Sequence, residues 1–590
     1  MAETAGGEVI ARILAANGVE HAFGLPDGTY LALLTGFRRH RIQLLTPRHE
    51  STAAHMAGAY ARLTGRLGVC IASNGPGVAN VLPGVAVENA EGNRVLLITS
   101  SRRSGITYPD RGGAYQCFDQ VRVTEAMSKW SVVVPSAERL QELLMRALRL
   151  SYLGRPGVVH VDVPEDLING KMAARGAPAP LRQESAVKGA DPQLVERAAE
   201  LLVSAKLPMI HAGGGVIHAG AFAETARLAQ MLHAPVLTSW SGRGAVAETS
   251  PLVWPMTLIK ACDLVRNAAD VVLCLGSRLG ETDFWGKPPS WRAAEKQSMI
   301  RVDLDERALD LNRPASLAIQ ADAGAFLRQL CEAVEERSNH RPSAERVKSV
   351  GRLARERDRL RAQLDERLQD RGVPMLTAQV PVACQEVFEE DAVAVFDGGN
   401  TSVWGHFYHR VRTPNSLLST PHFGHLGAGL GQALGAAVAR PGKQVYCIIS
   451  DGAFGFHMQE VETAVRHGLP IVFAVICDRQ WGMVKMTEQF ALKPVKTLIR
   501  KSLRAEELIG TELGEIEFHR LAEAMGAHGA RVADAAELRP ALRACLDSGK
   551  CAVLHVDVDR VKHLWAPGLQ DFKRMHQEPA ARRRSFGAGE

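Results

Sequence analysis

No run in the 590-residue sequence is apolar for long enough to cross a bilayer. The opening stretch, MAETAGGEVIARILAANGVEHAFG, lacks the basic start and apolar run that direct secretion, so a cytoplasmic protein with no membrane partner is expected. Cysteine is sparse. There are ten, and even the closest pair, Cys545 and Cys551, has no metal-ligand spacing, which argues against both a disulfide framework and a structural zinc site. Charge of one sign is also lacking: a net +6 is small for this length, and no basic arm suggests a nucleic-acid partner. What remains is an ordinary globular composition, 46% hydrophobic and 23% charged. The chain is too long for one core and implies about three or four domains.

The most informative stretch runs from Tyr446 to Val484. An apolar run, Val445 to Ile449, ends in Ser450-Asp451-Gly452, and after an amphipathic segment a second run, Ile471 to Ile476, ends in Cys477-Asp478. This predicts a strand, a crossover helix and a parallel strand with a carboxylate at the carboxyl end of each strand. Those ends line the ligand crevice of an open α/β sheet. Two hard oxygen donors beside a glycine turn suit Mg²⁺, which keeps part of its coordination shell for a phosphate-bearing partner. The plainer alternative is a βαβ unit whose strands happen to end in acids.

The same logic recurs near the start. Glu8 to Val19 has helical spacing, and Ile42 to Leu45 reads as a strand followed by Arg48-His49-Glu50 and a helix. Glu50 either points into a crevice or only caps its helix. Val69 to Ser73 leads into a glycine turn, Asn74 to Asn80, whose amides can hold an anion. Strands at Arg94 to Thr99 and Gly157 to Pro164 complete this unit, assigned to residues 1–168. A linker is expected at 169–190, a second α/β unit with Gly213-Gly214-Gly215 at 191–343, and a charged connecting helix at 344–372. A third α/β unit spans 373–560. It holds Asp397-Gly398-Gly399-Asn400 and the glycine-rich Phe423-Gly424-His425-Leu426-Gly427. Lys493, Lys496, Arg500, Lys501 and Arg504 form either one solvated helix face or a clamp for a phosphate-bearing substrate such as a CoA ester. The extension 561–590, with Leu564, Trp565, Pro567, Leu569 and Phe572, is a loose tail or a lid.

Asp-Gly, then about 27 residues, then a polar pair ending a strand, resembles the thiamin diphosphate motif, and Arg48-His49-Glu50 is similar to the Arg-His-Glu run of the acetolactate synthase and pyruvate oxidase branch of that family. The resemblance covers nearly the whole chain. It implies three open parallel-sheet α/β domains, with a thiamin diphosphate-binding fold in the first and third and a nucleotide-binding-like middle domain. It further implies thiamin diphosphate with Mg²⁺, the metal held by Asp451, Asp478 and the carbonyl of Gln480. Ser450, Gly452, Ala453, Gly482, Met483, Gly424, Leu426 and Asn80 are the implied cofactor contacts. Glu50 and Gln116 take the catalytic roles, Glu50 by hydrogen bonding to the aminopyrimidine and Gln116 by facing the reaction centre. Leu426 matches the apolar wedge that bends the cofactor.

The chain departs from the pattern in places. Cys477-Asp478 replaces Asn-Asn, which keeps an oxygen ligand and adds a negative charge. The flavin-bearing relatives have Arg-Phe-Asp-Asp-Arg where this chain has Ser277 to Asp283, which argues against FAD. Met486-Thr487 stands where acetohydroxyacid synthases have Gln-Trp in the acceptor pocket, so an unusual acceptor is expected. The implied activity is decarboxylation of a 2-keto acid and transfer of the acyl unit to a second carbonyl. The alternatives are a lyase cleaving a 2-hydroxyacyl-CoA or a 1,2-diketone, and an inactive binding or regulatory homologue. The family pairs the first domain of one subunit with the third of another, so a homodimer or homotetramer is implied.

Overall fold

A computed structural model of the chain describes residues 3–107, 111–173, 188–337 and 342–575. Most of the expected linker and the last fifteen residues of the extension lie outside the described residues. The chain divides into two compact units. One holds the described parts of Met1–Ala186 with Arg371–Gly405 and Leu418–Leu564; the other holds those of Val187–Asp370, His406–Leu417 and Trp565–Glu590.

Within the first unit one sheet runs Gln43–Leu45, His21–Gly24, Gly68–Ala72, Val95–Ser101, Val158–Pro164, Trp130–Val133, all parallel. A second orders the parallel strands Val393–Asp397, Val445–Ser450, Ile471–Cys477, Ala552–Asp557 and His528–Val532. The central strands are buried along nearly their full length, as expected of parallel strands covered on both faces. Trp130–Val133 and His528–Val532 were not anticipated, because neither is a continuous apolar run.

The two sheets share a core through one helix pair. Thirteen of the fifteen residues of Glu50–Thr64 are buried, and the helix faces Ala428–Ala439. Small residues permit the close approach: a Cβ on Gly435 would lie 2.4 Å from the Met56 carbonyl oxygen, and one on Gly431 2.6 Å from the His55 Cβ.

The second unit carries a six-stranded parallel sheet in the order Val253–Trp254, Val236–Thr238, Pro208–Ala212, Val271–Leu275, Ser298–Asp303, Leu317–Gln320. Three expectations need amendment. The connecting helix, Ala344–Asp365, is not merely a solvated spacer: Val350 and Leu353 join the middle core, and buried Arg346 donates to the carbonyls of Leu232, Val203 and Ala205. Lys171–Ala173, inside the expected linker, pairs antiparallel with Glu3–Ala5. The helix Leu569–Met575 lies on the middle unit, where Arg574 reaches Asp263 at 3.1 Å and sits over the Phe284 ring, and Met575 is buried.

Candidate active site

The strand Val445–Ser450 stops where Ser450 caps the next helix, its hydroxyl accepting from the Ala453 amide at 3.2 Å. Asp451 is therefore the first helical residue, and both its carboxylate oxygens are used by the backbone: one accepts from the Gly452 amide and the other from the Arg479 amide, each at 2.7 Å. The neighbouring strand ends at Cys477, and Asp478 follows with 2% exposure. The two strands are paired in register from Val445 with Ile471 to Ser450 with Ile476, so both carboxylates emerge at one end of the sheet.

Burial raises the affinity of both groups for protons, and the charge of Asp478 raises that of Asp451 further. A proton or a cation would relieve such a pair. Among the described residues no cluster of three or more His, Cys, Asp or Glu is arranged to hold a metal, so a cation here also needs carbonyl or external oxygens.

Glycines keep this end open. A Cβ on Gly452 would lie 2.7 Å from the Trp481 ring, and one on Gly398, at φ 90°, 2.3 Å from the Ser450 hydroxyl. A Cβ on Gly482 would lie 2.9 Å from Asn400 Nδ2 and 3.5 Å from Asp478 Oδ2, so these two polar groups flank one cradle above the glycine. Both polar atoms of the buried Asn400 amide, the Thr401 hydroxyl and Gln480 Oε1 have no hydrogen-bond partner. Buried polar atoms left unpaired cost about 1–3 kcal/mol each, and their gathering at one sheet end fits a polar ligand such as a diphosphate. Sequence alone gives Asn400 no role. Its signal was the strand end Asp397-Gly398-Gly399, which matches the Asp451 strand in layout.

The glycine-rich turn starts at Gly424, which is exposed at φ 64°; Leu426 is half-buried against the shared core, and Gly427, at φ 89°, leads into the Ala428–Ala439 helix. Buried Asp397 secures the helix by accepting from the Gly429 amide at 2.8 Å. Met483 lies on the first turn of Gly482–Leu492, and a Cβ on Gly399 would stand 3.6 Å from it.

In the first sheet, Glu50 opens its helix with 8% exposure and accepts from Asn80 Nδ2 at 3.1 Å. Asn80 is itself exposed. The preceding turn is fastened to the other sheet's helices: buried Glu460 accepts from the Arg48 amide at 3.0 and 3.1 Å, and Ser51 meets His457 at 3.3 Å. Gln116 is exposed and held at φ 52°, unusual for a residue with a side chain. Asn74 donates to its carbonyl at 2.9 Å, and a Cβ on Gly75 would lie 2.7 Å from that oxygen. The same turn continues to Gly77, where a Cβ would lie 3.5 Å from Glu50 Oε1, so one turn adjoins both candidates.

The basic cluster is not one helix face. The helix Pro494–Arg500 ends at Lys501, which has φ 63°; Lys493 and Lys496 both pair with Glu507, and Arg504 lies beyond the helix.

Sequence comparison agrees with this layout. The thiamine pyrophosphate enzyme N-terminal TPP binding domain matches residues 4–123, the central domain residues 195–330 and the C-terminal TPP binding domain residues 397–556. The acetolactate synthase large subunit of Mycobacterium tuberculosis is 30% identical over 94% of this chain and 95% of the relative. The isozyme 2 large subunit of Escherichia coli acetolactate synthase is 28% identical over 95% and 96%. The sulfoacetaldehyde acetyltransferase of Castellaniella defragrans is 28% identical over 92% and 90%. The chain belongs to the thiamine pyrophosphate enzyme family and is an acetolactate-synthase-like enzyme that uses thiamin diphosphate.

Proposed function

We propose that the chain decarboxylates a 2-keto acid and joins the acyl unit to a second carbonyl, with Mg²⁺ held by Asp451, Asp478 and the Gln480 carbonyl. The observation that carries this reading is the pair of buried carboxylates at adjacent strand ends beside the unpartnered Asn400 amide. Thiamin diphosphate, when bound, supplies a carbon nucleophile that adds to the keto group and accepts the electrons released as the neighbouring C–C bond breaks. The protein supplies everything else. Asp451 and Asp478 would hold the cation, and the unpartnered Asn400 amide and Thr401 hydroxyl would offer hydrogen bonds to the diphosphate. Leu426, half-buried against the shared core, would give the cofactor an apolar support. Glu50 would share a proton with the aminopyrimidine ring nitrogen, and Gln116 would lie on the side of the reacting carbonyl.

The acceptor side favours a second reading of the transfer step. Met486 is buried at 2% exposure, while Thr487 is exposed and bonded to the Met483 carbonyl at 3.0 Å, so neither repeats the Gln-Trp pair of acetohydroxyacid synthases. Sulfoacetaldehyde therefore belongs in the acceptor screen beside 2-keto acids, with 2-hydroxyacyl-CoA esters and 1,2-diketones as lyase substrates. The test is CO₂ release and product analysis with Mg²⁺ and thiamin diphosphate. Decarboxylation with transfer to one acceptor is the expected result; cofactor binding without turnover of any keto acid would reject the reading.

The proposed working unit is a homodimer or a pair of dimers, with Glu50 and Asp451 of different chains meeting at each site across an isologous interface. Mixing Glu50→Gln chains with Asp451→Ala chains after dissociation should restore about a quarter of wild-type activity under random pairing. Proven subunit exchange with no recovery would rule out shared sites.

A further inference from the structure

Asp478 is where this chain parts from its family's metal pair, and the surroundings of that residue are unusual in charge. Arg560, the first residue of the helix Arg560–Leu564, donates from Nε to the Asp478 carbonyl at 2.7 Å and from Nη2 to the Arg479 carbonyl at 3.1 Å. The same guanidinium pairs with Glu512. The other Glu512 oxygen takes the buried Lys485 ammonium at 2.7 Å. Gln480 closes the arrangement, its Nε2 donating to Asp478 Oδ2 at 2.9 Å and to the Arg560 carbonyl at 2.8 Å. Charges thus alternate in sign along Lys485, Glu512 and Arg560, whose guanidinium meets the Asp478 main chain, while the buried His563 ring lies 3.7 Å from the Asp478 carboxylate. The loop itself is pinned by a short strand-like contact: the Trp481 amide donates to the Thr511 carbonyl at 2.8 Å, and the Leu513 amide to the Arg479 carbonyl at 2.9 Å.

A second carboxylate helps a divalent cation and hinders a diphosphate. Asparagine at 478 would leave Asp451 as the one fixed negative charge of the pair; aspartate doubles it. Some cation must offset the change if an anionic cofactor is to bind, and Arg560 is in direct contact with the Asp478 main chain. We propose that Arg560 is a positioning residue that makes an aspartate at 478 compatible with the diphosphate: its charge, held beside Asp478 by two main-chain hydrogen bonds, balances the extra carboxylate. The assignment rests on Asp451 and Asp478 being the metal pair. It adds a dependence of cofactor affinity on a residue outside the proposed ligand set.

The experiment is a double-mutant cycle on the full chain, read as thiamin diphosphate affinity by fluorescence titration at saturating Mg²⁺. Arg560→Gln is expected to weaken binding about tenfold, and the double variant Arg560→Gln/Asp478→Asn to bind within about threefold of Asp478→Asn alone. Arg560→Lys, which keeps the charge, should fall between wild type and Arg560→Gln. Because the guanidinium is partly exposed, the loss in Arg560→Gln should shrink as salt is raised, which a purely structural defect would not do. The unfolding midpoint without cofactor shows whether each variant is folded. If Arg560→Gln does not fold, the double variant against Asp478→Asn carries the comparison. A folded double variant more than about threefold weaker than Asp478→Asn overturns the proposal, as does wild-type affinity in Arg560→Gln. Wild-type affinity in Asp451→Ala would instead remove the metal-pair reading beneath it.

Discussion

Glu50→Gln is expected to bind thiamin diphosphate within about threefold of wild type while exchange of the cofactor's C2 proton slows by roughly 10²- to 10⁴-fold, the usual worth of a positioned acid or base. The amide fits where the acid stood. Its carbonyl oxygen still accepts from Asn80 Nδ2, now at 3.1 Å from Glu50, and the helix keeps its His49 cap, whose ring accepts from the Ser51 amide. What changes is the capacity to share a proton with the pyrimidine. If Glu50 served only the helix dipole, the loss would be about 0.3–1 kcal/mol of stability and nothing in exchange. Deuterium exchange at C2, followed by NMR after acid quench, separates the two; exchange at the wild-type rate leaves Glu50 with capping alone.

The second large effect is at Asp451. Asp451→Ala should abolish Mg²⁺-dependent cofactor binding, at least a hundredfold by titration, because it removes a metal oxygen and orphans two backbone amides at once. The Gly452 and Arg479 amides each lose a 2.7 Å acceptor, and an unpaired buried donor costs about 1–3 kcal/mol. Arg479 is held at φ 55°, and although Leu513 and Arg560 still bond its carbonyl, the loss of the Asp451 acceptor frees its amide in a strained turn. Asp451→Asn is the control for folding: it retains one acceptor but turns an N–H toward an N–H, and is expected to fold with weakened binding. Asp478→Asn, which restores an amide ligand, should bind nearly as wild type. Unchanged affinity in Asp451→Ala would contradict the site.

The parallel sheets and the acids at their ends were legible because they depend on local pattern: Val445–Ile449 and Ile471–Cys477 are unbroken apolar runs, and a carboxylate follows the last residue of each strand. The edge strands were not, since Trp130–Val133 is half-buried and mixes Ser with Val and Trp. Nor was the burial of Arg346, whose partners lie in segments more than a hundred residues away. The site shows the same division. Glu50 and Asp451 announce themselves by neighbouring residues in the chain. Asn400 and Arg560 matter through groups distant in sequence, and a lone polar residue after a glycine pair, or a lone arginine after the last strand, gives no periodic signal. The left-handed backbone of Gln116 and its tie to Asn74 are likewise tertiary facts, set by the Gly75 turn.

The helix pair that joins the two sheets has a consequence for how the chain is made. Glu50–Thr64 is buried almost all round, yet the face that covers it, Ala428–Ala439, leaves the ribosome only after the Val187–Asp370 stretch of the middle unit has been synthesised. Until then Ala53, Met56, Ala57 and Tyr60 have no partner surface from that helix, and the first sheet is a half-finished core. The middle unit, contiguous in sequence from Val187 to Asp370 apart from two short later segments, can collapse in the meantime. Synthesis therefore favours an order of middle first and outer sheets together last, with the nascent amino-terminal segment the part most exposed to aggregation and most dependent on chaperones.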